Sequence, residues 1–162
     1  MQLIDRILLP TDGSEDAMEA VAYAIQLARQ LRSAVTLLHV VEVVPLPVYL
    51  PGVYFEDQAR HRLELLKEGR VILDFALDLF RESGIAVKAE LREGSPGEAI
   101  VDLAGRGGYD IIVMGRRGLG LAQSLLIGSV SDYVARYAPC PVLIVRGEWS
   151  GKSAREAEVG AG

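Results

Sequence analysis

The chain has 162 residues, half of them apolar, and a mean hydropathy of +0.24, which is enough for one domain with its own hydrophobic core. Its net charge of −5 and its pI near 5.1 argue against a protein that coats nucleic acid, because such proteins carry a basic field. Its single cysteine excludes an intrachain disulfide, and no apolar run approaches the ~20 residues that span a bilayer. We expect a cytoplasmic protein with no signal peptide and no membrane partner.

Short apolar runs alternate with amphipathic segments from the N terminus onward. Ser14 is the predicted N-cap of the first helix, and Gly84 is the predicted end of the long second helix. Pro96 falls in the first turn of the third helix, where proline is favourable. The predicted strands are 4–9, 35–42, 85–91, 109–115 and 141–145, and the predicted helices are 14–32, 57–83, 96–107 and 128–137.

This alternation predicts a single three-layer α/β domain, flavodoxin-like or Rossmann-like, with a five-stranded parallel sheet and helices on both faces. The order of the strands is not readable from the pattern. In such sheets, ligands bind beyond the carboxyl ends of the strands, where the strand order reverses. We expect the domain to cover 1–146, the proline-rich segment 43–55 to be a loop, and 147–162 to be a flexible C-terminal tail.

A glycine-rich segment, GRRGLGLAQSLLIGS, occupies 115–129 between a predicted strand and a predicted helix. It lacks the lysine of a Walker loop, and Gln123 stands where the dinucleotide fingerprint needs its third glycine. Gly128 and Ser129 nevertheless lie at a helix start, where free N–H groups and the helix dipole favour an anion. Phosphate binding, with help from Ser131, and a plain connection with Ser129 as helix cap remain equally open on these residues.

A second segment, LLPTDGSEDA at 8–17, places Asp12 at the end of the first predicted strand. Asp-Gly-Ser is an ordinary turn sequence, so turn chemistry alone would explain it. A carboxylate at this edge of the sheet would also accept a hydrogen bond from a nucleoside or help to hold a magnesium ion. Both interpretations stay open.

The remaining reactive side chains do not form a catalytic set. His39 is interpreted as a packed strand residue and Cys140 as a buried, unreactive thiol. No Ser-His-Asp order, carboxylate pair or metal-ligand spacing stands out, and no catalytic residue is assigned.

The two segments together resemble the universal stress protein family, of the nucleotide-binding kind. The family's pattern is glycine, two residues, glycine, nine residues, glycine, then serine or threonine. Here it reads Gly115, RR, Gly118, LGLAQSLLI, Gly128, Ser129. ILLPTDGSEDA resembles the opening strand and turn of the family, and GSPGEAI resembles a third segment. The similarity spans residues 3–146.

This resemblance implies the strand order 3-2-1-4-5, with a nucleotide site between strands 1 and 4. It implies ATP, held with magnesium, as the ligand, with ADP or AMP as alternatives. Arg117 lies at a position where the family varies, and nothing is transferred onto 43–60. The residues implied for the adenine and ribose side are Pro10, Thr11, Asp12 and Val40; those for the ribose and phosphates are Met114, Gly115 and Gly118; those for the phosphate tail are Gly128, Ser129, Val130 and Ser131.

Three functions remain open from the sequence. The first is an ATP-binding regulatory protein of the stress response with little or no hydrolysis. The second is a slow magnesium-dependent ATPase that uses Asp12, and the third is a dimeric interaction protein without nucleotide. In the implied order, the apolar strand 141–145 lies at a sheet edge, where exposed strands invite pairing. The resemblance also implies dimers built there, so we expect a homodimer joined through this strand.

Overall fold

The computed structural model describes residues 3–46, 55–117 and 127–147. Gly118, most of the predicted loop 43–55 and the predicted tail beyond Gly147 lie outside these ranges. The strands are β1 (Arg6–Pro10), β2 (Ala34–Val41), β3 (Val87–Glu93), β4 (Ile111–Gly115) and β5 (Val142–Val145). The helices are α1 (Glu15–Leu31), α2 (Phe55–Ser83), α3 (Pro96–Gly107) and α4 (Ser129–Tyr137).

The five strands form one parallel sheet in the order β3-β2-β1-β4-β5. The α/β class and this strand order are therefore confirmed. The order reverses between β1 and β4, so the carboxyl ends of these two strands border a crevice.

Both faces of the sheet are covered by helices. Side chains of β1 and β2 such as Ile7 and Leu37 pack on one face against α1 and α2, where Phe80 is fully buried. Alternate residues such as Leu8 and Leu38 pack on the other face against α3 and α4. This two-sided burial explains why the central strands read as continuous apolar runs.

The caps agree with the sequence, but several strand boundaries differ from the predicted ones. The hydroxyl of Ser14 accepts a hydrogen bond from the backbone N–H of Ala17, as expected of an N-cap. Strand β3 begins two residues later than predicted, because Gly84 adopts a φ of 72° and Ile85 and Ala86 form the connection. Strand β1 begins at Arg6 rather than at residue 4 and ends on Pro10 rather than at residue 9.

Strand β4 also begins two residues later than predicted, at Ile111. Helix α3 ends at Gly107, and the following Gly108 is its C-cap with a φ of 61°. Asp110 then turns its carboxylate to the backbone N–H groups of Asp5 and Arg6, both at 2.8 Å. Tyr109 and Asp110 thus serve as the connection into β4.

Candidate functional site

A cavity of about 280 Å³ lies at the carboxyl ends of β1 and β4, near the lower end of the range for small-molecule sites. Eleven of the twelve site residues named from the sequence line it, and the twelfth, Gly118, lies outside the described residues. Those in the wall are Pro10, Thr11, Asp12, Val40, Met114, Gly115, Arg117, Gly128, Ser129, Val130 and Ser131. The structure therefore brings these residues together, and their contacts with a ligand stay a prediction.

Six further residues line the cavity that the sequence did not assign to the site: Ala17, Leu38, His39, Glu42, Pro96 and Ile100. Pro96 and Ile100 belong to the GSPGEAI segment, so the resemblance of that segment was the available signal. Glu42 follows β2 directly, and only the strand order places it beside the end of β1.

The turn after β1 shows the turn chemistry predicted for Asp12, and ligand binding by Asp12 stays a prediction. Its Oδ1 accepts a hydrogen bond from the N–H of Ser14 at 3.0 Å, and Gly13 has a φ of 78°. This is the turn chemistry expected of Asp-Gly-Ser. The same carboxylate belongs to the cavity wall, so the turn also carries a charge to the site.

His39 is buried, as predicted for a packed strand residue. Its Nδ1 lies 2.7 Å from the carbonyl oxygen of Thr11, which can only accept, so this nitrogen carries the hydrogen. The bond ties the end of β2 to the turn after β1. His39 also contributes to the cavity wall, which the sequence did not indicate.

The two ends of the glycine-rich loop (residues 116–128) are hydrogen-bonded to each other. The N–H of Gly128 donates to the carbonyl oxygen of Arg116 at 2.8 Å, which closes the base of the loop. The N–H of Arg116 donates to the carbonyl oxygen of Val145 at 2.8 Å. The N–H of Arg117 donates to Asp16 at 3.1 Å, and its carbonyl oxygen accepts from the Ser14 hydroxyl at 3.2 Å. The backbone N–H and carbonyl groups of both arginines are thus all hydrogen-bonded.

Helix α4 points its N terminus at the cavity without a side-chain cap. Its N-cap is Gly128, and Ser129 is the first helical residue, so the interpretation of Ser129 as the helix cap is wrong. A glycine N-cap offers no side-chain oxygen to the first free N–H groups. Ser131 donates its hydroxyl hydrogen to the carbonyl oxygen of Gly115 at 2.8 Å, which fixes α4 against the end of β4.

The cavity wall combines charged, polar and apolar residues. Arg117 and the start of α4 contribute positive potential, whereas Asp12 and Glu42 contribute carboxylates. Apolar residues of the wall include Val40, Ile100 and Met114. Such a wall offers apolar surface together with groups that favour an anion.

The thiol of Cys140 is half-buried, not fully buried as predicted. Burial, and secondarily the charge of Asp110, raises its pKa above the usual range. The thiolate is the reactive form, so a raised pKa agrees with the prediction of an unreactive thiol.

No cluster of three or more His, Cys, Asp or Glu side chains with metal-binding geometry occurs in the described part of the chain. Within the same ranges, no helix is long and apolar enough to cross a membrane.

Known proteins resemble this chain in sequence. The model of the universal stress protein family matches residues 4–146. Universal stress protein MJ0531 of Methanocaldococcus jannaschii is 37% identical over 145 residues, which cover 89% of this chain and 83% of that protein.

Two solved structures have the same fold and a sequence identity of 25% or more to this chain. Hypothetical protein MJ0577 is 30% identical, with a TM-score of 0.77 over 91% of this chain and 99% of its own. A universal stress protein solved in complex with cAMP is 25% identical, with a TM-score of 0.67 over 90% of this chain and 99% of its own. The family match over nearly the whole domain, together with this fold and these relatives, shows that the chain belongs to the universal stress protein family.

Proposed function

We propose that this protein is a nucleotide-binding regulator of the stress response that holds ATP between the ends of β1 and β4. One observation carries the proposal: a single cavity joins an anion-favouring helix N terminus to an apolar wall. ADP and AMP fit the same chemistry. The relative in complex with cAMP supports an adenine nucleotide, because cAMP is one.

The residues of the cavity wall suit the two ends of a nucleotide. The first free N–H groups of α4 and the guanidinium of Arg117 suit the phosphates. The side chains of Val40, Ile100 and Met114 suit the flat face of a base. The ribose is then expected near Met114 and Gly115, as the family resemblance implies.

Magnesium fits this site only as an ion held mainly by the phosphates. Asp12 supplies a carboxylate at the wall, and magnesium commonly combines one or two carboxylates with phosphate oxygens and water. When bound, the ion supplies positive charge at the phosphate tail. Asp12 is itself held in place by the N–H of Ser14, which fixes the direction of its carboxylate.

Ser129→Glu tests the site directly. It places a carboxylate at the exposed first position of α4, where a negative charge is favourable to the helix but repels phosphate. We expect ATP affinity, measured by isothermal titration calorimetry, to fall by about a hundredfold or more, which is equivalent to about 2.7 kcal/mol. Ala135→Glu is the matched control, since it adds the same charge at an exposed position near the other end of α4.

Ala135→Glu is expected to bind like the unchanged protein. Equal affinity of both variants for ATP would contradict the assignment of the phosphate end to α4. Absence of binding in the unchanged protein would instead favour the nucleotide-free interaction protein.

We further propose that bound ATP is held with little or no hydrolysis. The measurement is phosphate release under single-turnover conditions with magnesium. Rapid turnover that is lost in Asp12→Ala would favour the ATPase over the regulator.

A further inference from the structure

The carboxylate of Asp16 lies beneath the base of the glycine-rich loop, on the first turn of α1. Its side chain is only 10% exposed. One oxygen, Oδ2, accepts a hydrogen bond from the N–H of Arg117 at 3.1 Å. The other, Oδ1, accepts from the N–H of Gly147 at 2.9 Å. A single carboxylate therefore joins α1 to the segments that follow β4 and β5.

The same carboxylate faces both arginines of the loop base. Its Oδ2 lies 3.7 Å from Nε of Arg117 and 3.8 Å from Nε of Arg116. The Nε of Arg116 is buried and has no hydrogen-bond partner among the described residues. The charge of Asp16 is thus the nearby compensation for a buried cationic group.

Two glycines leave room for this arrangement. A Cβ on Gly147 would lie 2.4 Å from Oδ1 of Asp16. A Cβ on Gly115 would lie 2.6 Å from the backbone carbonyl carbon of Asp16. Because both distances are shorter than real Cβ contacts, the position of Asp16 depends on glycine on either side.

Asp16 does not itself line the cavity, but Arg117 does. We propose that Asp16 is a positioning residue for the phosphate end of the site: it holds the amide and the side chain of Arg117 where the nucleotide's phosphates arrive. This inference rests on the proposed nucleotide-binding function and names a residue that acts through another one.

Removal of the Asp16 charge has two opposing effects. It leaves the arginine pair more positive, which attracts phosphate, and it loosens the base of the loop. The charge effect acts across an open, hydrated cavity and is screened by salt. The two hydrogen bonds to Asp16 are charge-assisted and partly buried, so the effect of their loss dominates. Neutralisation of Asp16 therefore weakens the binding of phosphate groups.

The test compares Asp16→Asn with the unchanged protein for adenosine, AMP and ATP, by isothermal titration calorimetry. Asparagine has the same shape as aspartate, but its NH2 group cannot accept a hydrogen bond. One of the two backbone N–H groups therefore loses its acceptor. We expect ATP affinity to fall about tenfold, AMP affinity to fall less, and adenosine affinity to change by less than about twofold. Glu15→Gln, an equal charge change at the exposed neighbouring residue, is expected to leave all three unchanged.

A second readout does not depend on a ligand. Amide hydrogen exchange at Arg117 and Gly147 is expected to accelerate in Asp16→Asn, because both N–H groups lose a charged acceptor. Unchanged exchange at both amides would overturn the positioning role, as would unchanged or tighter ATP binding.

Equal losses for adenosine and ATP would also overturn this role, since they would indicate general loosening of the fold. If the unchanged protein bound none of the three ligands, the proposed function itself would fail together with this inference. If the unchanged protein bound ATP and Asp16→Asn bound it equally well, the positioning role of Asp16 would be overturned and the proposed function would stand.

Discussion

At the scale of single residues, close packing fixes the approach of α1 to the end of β4. Gly115 is the last residue of β4, and a Cβ there would lie within 2.8 Å of three backbone atoms of Asp16 and Ala17. Backbone atoms cannot move aside as the end of a flexible side chain can. The absence of a side chain at Gly115 is therefore a requirement of the fold as well as a feature of the cavity.

Gly115→Ala is expected to lower the free energy of unfolding by about 2 kcal/mol or more, because α1 must shift away from the sheet. Urea denaturation followed by circular dichroism measures this. Gly105→Ala is the matched control: it lies inside α3, and its Cβ would meet nothing closer than Pro139 at 3.9 Å. We expect the control to stabilise the protein by about 0.5 kcal/mol or more. Equal effects of the two substitutions would refute the packing argument.

At the scale of elements, each helix covers the sheet with one buried stripe. Helix α2 shows the contrast most clearly, because Phe80 is fully buried whereas Phe75 is 61% exposed on the same helix. Phe80 packs in the core cluster formed with α1 and β2. The helix is therefore held by a few positions, and the exposed aromatic residue contributes little.

Phe80→Ala is expected to lower the free energy of unfolding by about 3 to 5 kcal/mol, since it leaves a cavity in a closed core. Phe75→Ala, with the same chemical change, is expected to alter it by about 0.5 kcal/mol or less. Thermal and urea unfolding of both variants provide the comparison. A cost at Phe75 as large as that at Phe80 would contradict the placement of the buried stripe.

Local patterns explain why the elements could be predicted from the sequence. The cap at Ser14, the left-handed glycine at Gly84 and the two-sided apolar run of β2 all act within a few residues. The strand order is different, because it depends on pairing between distant segments, such as β1 with β4. It became available only through the resemblance of two separated motifs to one family.

The same distinction applies within the site. Asp12, Gly128 and Ser129 carry signals in their own neighbourhood, and the sequence identified them. Asp16 carries none, because its partners Arg117 and Gly147 lie 101 and 131 residues away along the chain. In the first turn of a helix, an aspartate looks like an ordinary acidic residue at a favourable position.

At the scale of the whole molecule, β5 forms one edge of the sheet within the described ranges. The carbonyl oxygens of Pro141 and Val145 accept hydrogen bonds from the N–H groups of Ile112 in β4 and of Arg116 directly after it. Backbone groups alternate in direction along a strand, so those of Val142 and Ile144 face away from the sheet. We propose that two copies of the chain pair antiparallel through these groups to form a homodimer.

Ile144→Pro removes one outward-facing N–H group and leaves the bonds to β4 in place. We expect it to convert a dimer into a monomer at micromolar concentration, measured by light scattering after size-exclusion chromatography. Ala89→Pro is the matched control on β3, at the opposite edge of the sheet. The N–H of Gly94 donates to the carbonyl oxygen of Val41 in β2, so by alternation along the chain the N–H of Ala89 faces away from the sheet. Persistence of the dimer in Ile144→Pro, or a monomeric unchanged protein, would argue against pairing through β5.

We propose that an adenine nucleotide occupies the cavity between β1 and β4, and the first experiment is to determine the nucleotide content of the purified protein. The protein is denatured, the released small molecules are separated by chromatography, and the emptied and refolded protein is titrated with ATP and magnesium. Occupancy of the cavity predicts release of ATP, ADP or AMP, or binding of ATP at micromolar concentration with one site per chain. Release of no nucleotide, together with no binding up to millimolar ATP, would contradict it.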